Sequence, residues 1–469
     1  MKFDEAAKKE KKYYAGVFRR LPVLIVRGEG AYVWDDVGRQ YLDFCSGVAV
    51  NSVGHCHPKV VRAIIQQAEN LIHTSNWFYT EPQLSLAETL VSMTGLEKAF
   101  ITNSGTEAVE SALKLARSAT GRAEFVAMEG AFHGRTMGSL AVTSGEKYRK
   151  PFEPGVPGAK FVPYNNLEAV KNAVTKNTAA VIVEPIQGES GVIVPDKGYL
   201  KGLRDITKDK GALLVVDEIQ TGFGRTGSLF AFPEEKIKPD ILCLAKAMGG
   251  GVAIGATVYA GVDFKAGEHG GTMGGNPLAC AAANAAIDVI RREKLHENAG
   301  KVGGILIDKI AELGFTPRGR GLMIGVPMQD PRTVAEKLVK KYVLTIHSKD
   351  ALRILPPLII EESHVKNFMT AFSEAMGVGP KEEKPKEKLP VSGLNLAASV
   401  EKGESRIDPA VIAKIAELLP TTDCGDCGVK SCQKFAEKLL LGGKKLSECP
   451  HLTPEQYDEI MLILEDYFH

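Results

Sequence analysis

Residues 212–227 read ALLVVDEIQTGFGRTG, an apolar run that stops at a carboxylate and passes into a turn-rich segment. A run of this length, bounded by polar residues and glycines, suits a strand buried on both faces of a parallel sheet. Four further runs end in polar or glycine-rich residues: AFIT at 99–102, EFVAM at 124–128, AAVIV at 179–183 and ILCLA at 241–245. Helical spacing lies between them, as in Ala108, Val109, Ala112, Leu113, Leu115 and Ala116, which recur at three and four residues. The alternation predicts an α/β domain with helices on both faces of a mainly parallel sheet.

In such sheets ligands bind outside the carboxyl ends of the strands, which singles out Asn103-Ser104-Gly105-Thr106, Glu184, Asp217 and Lys246. Ser104, Gly105 and Thr106 open a helix, where free N–H groups attract an anion; the plain alternative is an N-cap. Asp217 at the mouth of a buried strand needs a cationic partner such as a protonated pyridine nitrogen, against the plain reading of a salt bridge or cap. Lys246 at the end of an apolar strand is desolvated, which lowers an amine's pKa towards that of a nucleophile; the plain alternative is a snorkelling side chain. No G-x-G-x-x-G opens a helix after a strand, and no G-x-x-x-x-G-K-[ST] occurs. Anion cradle, acid and buried lysine in this order describe a pyridoxal phosphate site.

The chain has 469 residues, room for about three domains at about 150 residues each. Hydrophobic residues at 44%, charged residues at 25% and a mean hydropathy of -0.06 describe an ordinary globular protein. Lys plus Arg (58) and Asp plus Glu (57) nearly cancel, so no global field favours nucleic acid or anionic lipid. No run approaches the roughly 18 apolar residues of a membrane span, and the lysine-rich start lacks an apolar leader core. The expectation is a cytoplasmic protein.

The stretches GHCHPKVV, HTSNWFYTEPQ, NSGTEAVESALKLAR, FHGRT, VEPIQGESG, VVDEIQTGFGRTG, LAKAMGGG, HGGTMGGNPLACAAA and RILPPL, following GEGAYVWDDVGRQYLDF, resemble the class III aminotransferases over roughly residues 20–376. HTSN followed by FYTEPQ is closer to the acetylornithine branch than to the 4-aminobutyrate branch. The resemblance implies a fold-type I pyridoxal phosphate enzyme, with a large domain over about 51–290 and a small α+β domain from 1–50 and 291–376. It also implies that Lys246 carries the cofactor and shuttles a proton between substrate carbon and cofactor, Asp217 pairs with the pyridine nitrogen, and Gln220 meets the phenolic oxygen. Gly105 and Thr106 would contact the phosphate and Phe132 the ring; His133 receives no role. Thr272 would reach the phosphate of a neighbouring subunit, making a homodimer part of the site. Arg135 and Arg353 would clamp substrate carboxylates, with Glu189 as a gate on Arg353.

The implied reaction moves an amino group from an ω-amine such as that of N-acetylornithine to 2-oxoglutarate, in arginine biosynthesis. Ornithine, 4-aminobutyrate, diaminobutyrate and lysine-pathway amines are alternative donors. Another class of reading makes the chain an electron-transfer or interaction protein with a silent first domain, against which stands the retention of Lys246, Asp217, Gln220 and both arginines. Ser190 stands where relatives commonly have Gly. Trp77 and Tyr79 read as entrance residues or as core.

Residues 377–405 are a linker, with Pro380, Pro385 and Pro390 among solvated charges. Beyond it, residues 406–469 begin with an amphipathic helix over 407–420, predict a small, mainly helical domain and hold Cys424, Cys427, Cys432 and Cys449. Clustered cysteines in a reducing compartment favour metal over disulfides. Three thiolates in one loop and a fourth before Pro450 favour a [4Fe-4S] cluster over zinc, whose ligands usually group as two close pairs. The segment resembles the four-cysteine cluster domain of corrinoid iron–sulfur protein large subunits and of membrane-associated electron-transfer subunits. Transamination needs no external electrons, so the tail reads as a redox-sensing, docking or stability module, with a redox or docking partner. Anaerobically purified protein should contain iron and acid-labile sulfide; zinc in place of iron would overturn the cluster assignment.

Overall fold

The computed structural model describes residues 1–378, 409–419, 429–440, 449, 451–453, 456–457, 459–460 and 463–464. Two units divide the chain, Met1–Glu382 and Glu383–His469. The first is built on a seven-stranded sheet whose strands are, along the chain, β1 (Lys98–Thr102), β2 (Glu124–Met128), β3 (Ala159–Val162), β4 (Thr178–Val183), β5 (Leu213–Asp217), β6 (Ile241–Leu244) and β7 (Gly255–Tyr259). Their order is β1-β7-β6-β5-β4-β2-β3. All run parallel except β7, which is antiparallel to both β1 and β6.

Alternate residues of these strands enter different apolar clusters. Val126, Val181, Val183, Leu214, Val216 and Leu242 face one side, while Ala127, Ala180, Ile182, Val215, Ile241 and Cys243 face the other. A period of two with both faces buried explains why the strands read as unbroken apolar runs. The helix Gly105–Thr120 covers one face with Ala108, Val109, Ala112, Leu113, Leu115 and Ala116, all buried.

Both ends of the first unit meet in a second sheet. Gln40–Asp43 pairs in parallel with Val343–Leu344, and a third sheet joins Met323–Pro327 to Ala351–Ile354. Arg225, fully buried, ties these regions to the turn after β5 by donating to the carbonyls of Leu322 (3.0 Å) and Pro356 (2.5 Å) and to Ser52 Oγ (3.0 Å). None of these acceptors is charged, and burial lowers the guanidinium pKa to about 9.

In the second unit the helix Pro409–Leu418 lies within the predicted amphipathic stretch, and a further helix spans Cys432–Leu440. Ile415, Leu419, Phe435, Leu439 and Ile460 share one apolar cluster, against which the half-buried Cys432 and Cys449 pack. Cys424, Cys427 and residues 379–408, which include most of the predicted linker, lie outside the described residues. Among the described residues no helix is long and apolar enough to cross a membrane.

Candidate active site

A cavity of about 460 Å³ opens where the parallel strands end. Gly105, Thr106, Phe132, Arg135, Glu189, Asp217, Gln220 and Lys246 all line it. Asp217 is the last residue of β5, Lys246 lies two residues beyond β6, and Ser104 caps the helix two residues beyond β1 by accepting from the Glu107 N–H at 3.4 Å. The cap and the anion site are therefore one place: Ser104 orients the helix start whose Gly105 and Thr106 face the cavity. A side chain at 105 would come within 2.9 Å of Ile219, itself a lining residue.

Burial lowers the Lys246 pKa to about 8, and the positive charge of Arg353 adds to the effect, while Glu189, Asp217 and Glu184 work against it. Its backbone is held at a φ of 46°, in the left-handed region. Asp217 finds a partner within the protein, because His133 Nδ1 lies 2.7 Å from Asp217 Oδ2; Asp217 Oδ1 accepts the Ile219 N–H at 3.0 Å. Burial disfavours the charged imidazole, but the hydrogen bond and charge of Asp217, with Glu184, hold the His133 pKa above its usual value. Glu184 accepts from the N–H groups of Phe132 (2.9 Å) and Gly188 (3.1 Å). Its burial, with the charge of Asp217, pushes its pKa to about 7, against the opposing influence of His133 and those N–H groups.

Arg353 is 1% exposed and adjoins the cavity through two partners, with Nη1 donating to Glu189 Oε1 at 2.6 Å and Nη2 to Gln220 Oε1 at 2.9 Å. Burial works against the Glu189 charge, yet Arg353, with Lys246 and Arg135, holds its carboxyl below the usual range. Arg135 is exposed, its guanidinium 4.0 Å from the Tyr148 ring centroid, and Tyr148 meets Phe132 edge-on. Thr106 Oγ1 contacts the hydroxyls of Thr136 (2.9 Å) and Ser139 (2.6 Å).

Beside the cavity, Ser46, Gly47, Val48 and Ala49 take successive φ values of 45°, 64°, 64° and 62°. Asp43 Oδ1 accepts the N–H groups of Cys45 and Ser46 at 2.8 Å each, and Ser46 Oγ donates to the Leu355 carbonyl at 2.6 Å. This left-handed turn delivers Val50 to the cavity wall and packs Val48 near Ile186, Val192 and Leu355.

The structure places three further named residues at the surface. Trp77 and Tyr79, 90% and 93% exposed on this chain, belong neither to the core nor to the cavity lining. Thr272 is exposed and outside the cavity of its own chain, in a loop tied to the neighbouring segment by Asn76 Nδ2, which donates to the carbonyls of Gly271 (2.9 Å) and Gly274 (3.0 Å). Glu184 was singled out without a role, and His133, Thr136 and Ser139 were not legible as site residues. Only the position of Glu184 at a strand end and of the others within and just after FHGRT hinted at them.

A lysine, a histidine-paired acid and a helix start around one cavity define a pyridoxal phosphate enzyme of the aminotransferase kind. The chain belongs to the class III aminotransferases, for residues 13–376 match the family model "Aminotransferase class-III". Residues 419–451 match a second model, "Putative Fe-S cluster", which supports an iron–sulfur cluster on the tail. The chain is 47% identical over 382 residues to an acetylornithine aminotransferase of Methanosarcina acetivorans, covering 80% of this chain and 97% of the relative. It is also similar to the ornithine aminotransferase structure from Toxoplasma gondii (34% identity, TM-score 0.77, 80% of this chain and 95% of that one). The acetylornithine aminotransferase structure from Elizabethkingia anophelis is 34% identical with a TM-score of 0.71, over 80% of this chain and 99% of that one. The protein is thus a pyridoxal phosphate-dependent transaminase, and its cavity fits that group: a desolvated amine, an oriented acid and a helix start free of side-chain bulk at Gly105.

In cofactor-free protein, acylation of Lys246 should rise with pH through a midpoint near the lowered pKa of about 8, because the neutral amine reacts. A midpoint near the ordinary lysine value of about 10.4 would contradict the desolvated setting.

Proposed function

We propose that the protein transfers the terminal amino group of N-acetylornithine, or a closely similar ω-amine, to 2-oxoglutarate in arginine biosynthesis. The observation that carries this reading is the buried Arg353 already held by the carboxylate of Glu189. A clamp masked by an internal acid leaves a pocket suited to an uncharged tail; displacement of Glu189 frees the guanidinium for the second carboxylate of an acidic substrate. Arg135, on the exposed side of the cavity, serves the carboxylate common to both substrates.

Bound pyridoxal phosphate supplies the electron sink at the carbon that loses its proton. Lys246 Nζ would hold the cofactor and, once displaced by the substrate amine, would take up and return that proton. Asp217 would keep a proton on the pyridine nitrogen, and His133, at 2.7 Å, orients Asp217. Gln220 accepts from Arg353 through Oε1, which leaves its amide N–H groups to donate, as they would to the cofactor's phenolic oxygen. Gly105 and Thr106 would hold the phosphate at the helix start, and Phe132 would meet the ring.

The exposed Trp77, Phe78, Tyr79 and Met273 around Thr272 form an apolar surface that a second copy would bury, so that Thr272 reaches the partner's phosphate. In this reading residues 51–290 are the large domain, 1–50 with 291–376 the small one, and 377–405 the linker. The cysteine-rich unit, with Cys424, Cys427, Cys432 and Cys449 as cluster ligands, is an accessory module.

Purified protein should be yellow and should turn over N-acetylornithine with 2-oxoglutarate faster than 4-aminobutyrate, and Lys246→Ala should abolish colour and turnover together. Faster turnover of 4-aminobutyrate would overturn the donor assignment, and a coloured, active Lys246→Ala variant would overturn the lysine's role. Ending the chain within residues 380–392 should leave transaminase activity intact; its complete loss would make the tail integral to the enzyme.

A further inference from the structure

The carboxylate of Glu189 sits on a small hairpin, residues 187–193, closed at its base where Gln187 and Ile193 exchange two backbone hydrogen bonds of 3.0 Å. Its backbone is pinned on both sides of Glu189. Gln187 Nε2 donates to the Glu129 carbonyl at 2.8 Å, and the Gly191 carbonyl accepts from Arg318 Nε at 2.8 Å. Nearest to the gate, Ser190 Oγ donates to the Gly130 carbonyl at 2.6 Å.

The Ser190 contact has a receptor shaped for it. Gly130 has a φ of +81°, and a Cβ there would come within 2.6 Å of Ser190 Oγ, so the approach depends on a residue without a side chain. Among the described residues Arg353 alone bonds the Glu189 carboxylate, so with residue 190 fixed that carboxylate leaves Arg353 by turning its own side-chain torsions. Ser190 also stands at a position where glycine would offer no such bond and a freer backbone.

We infer that Ser190 is a latch that sets how readily Glu189 leaves Arg353, and therefore how strongly the pocket favours an uncharged substrate tail over an acidic one. The inference rests on the gate reading of Glu189 given above. Ser190 is a positioning residue, because it acts on substrate only through its neighbour. With the latch made, Glu189 stays over Arg353 and a dicarboxylate must displace it against a fixed backbone. With the latch removed, the hairpin yields and the dicarboxylate enters more easily, whereas a donor that leaves Glu189 in place gains nothing.

Single-turnover half-reactions of the holoenzyme with N-acetylornithine and with 2-oxoglutarate, followed by cofactor absorbance, separate the two effects. Ser190→Ala should lower the half-saturating 2-oxoglutarate concentration by roughly three- to tenfold, the effect of one hydrogen bond, and leave that of N-acetylornithine unchanged. Ser190→Thr, which keeps the hydroxyl, should behave like the parent enzyme. Equal changes for both substrates in Ser190→Ala, or none, overturn the latch when Glu189→Ala still favours 2-oxoglutarate. If Glu189→Ala leaves the balance between the two substrates unaltered, the gate reading itself is wrong and the latch falls with it.

Discussion

A charge removed from water must meet its opposite or give up its ionisation, and the catalytic end of this molecule is arranged around that constraint. Asp217 is matched by His133 and Glu189 by Arg353. Lys246 lines the same cavity, its charge disfavoured by burial and by Arg353. Glu184, unpaired with any arginine or lysine among the described residues, leans on two backbone N–H groups and on the histidine. The groups are linked: a change at Arg353 alters the charge on Lys246, the position of Gln220 and the ionisation of Glu189. The sheet supplies the geometry, since strands buried on both faces bring their carboxyl ends to one rim.

Arg225 applies the same constraint differently. It holds neutral acceptors from Ser52, Leu322 and Pro356, segments distant in sequence, and so fixes the approach of the strand that carries Arg353. Parallel pairing of Gln40–Asp43 with Val343–Leu344 joins the same regions through the backbone. The substrate clamp is held by the two ends of the first unit meeting, and the cofactor-facing lysine and acid by its centre.

The sequence made much of this legible because strand ends announce themselves. Asp217, Lys246 and Ser104 each break an apolar run, and that break is what places them at the cavity. β7 was missed because GATVY carries only moderate apolar character and its antiparallel direction leaves no trace in composition. His133 gave too little signal because its role lies in a contact with a residue 84 positions away. Of the two readings of Trp77 and Tyr79, core packing is set aside, because the chain leaves both rings outside. The role of the four cysteines depended on spacing and resemblance alone, with two of them beyond the described residues.

The turn at Ser46–Ala49 has a consequence for how such a pocket can change over evolutionary time. A left-handed residue costs an L-amino acid about 1–2 kcal/mol, and a β-branched one such as Val48 is a marked outlier there. Asp43 and the Leu355 carbonyl hold the strained form in place. Any replacement within this stretch alters backbone preference together with side-chain shape, so pocket size and local stability are inherited as one trait. Adaptation to a larger or smaller substrate therefore meets a narrower set of viable substitutions on this wall than on one built from right-handed backbone.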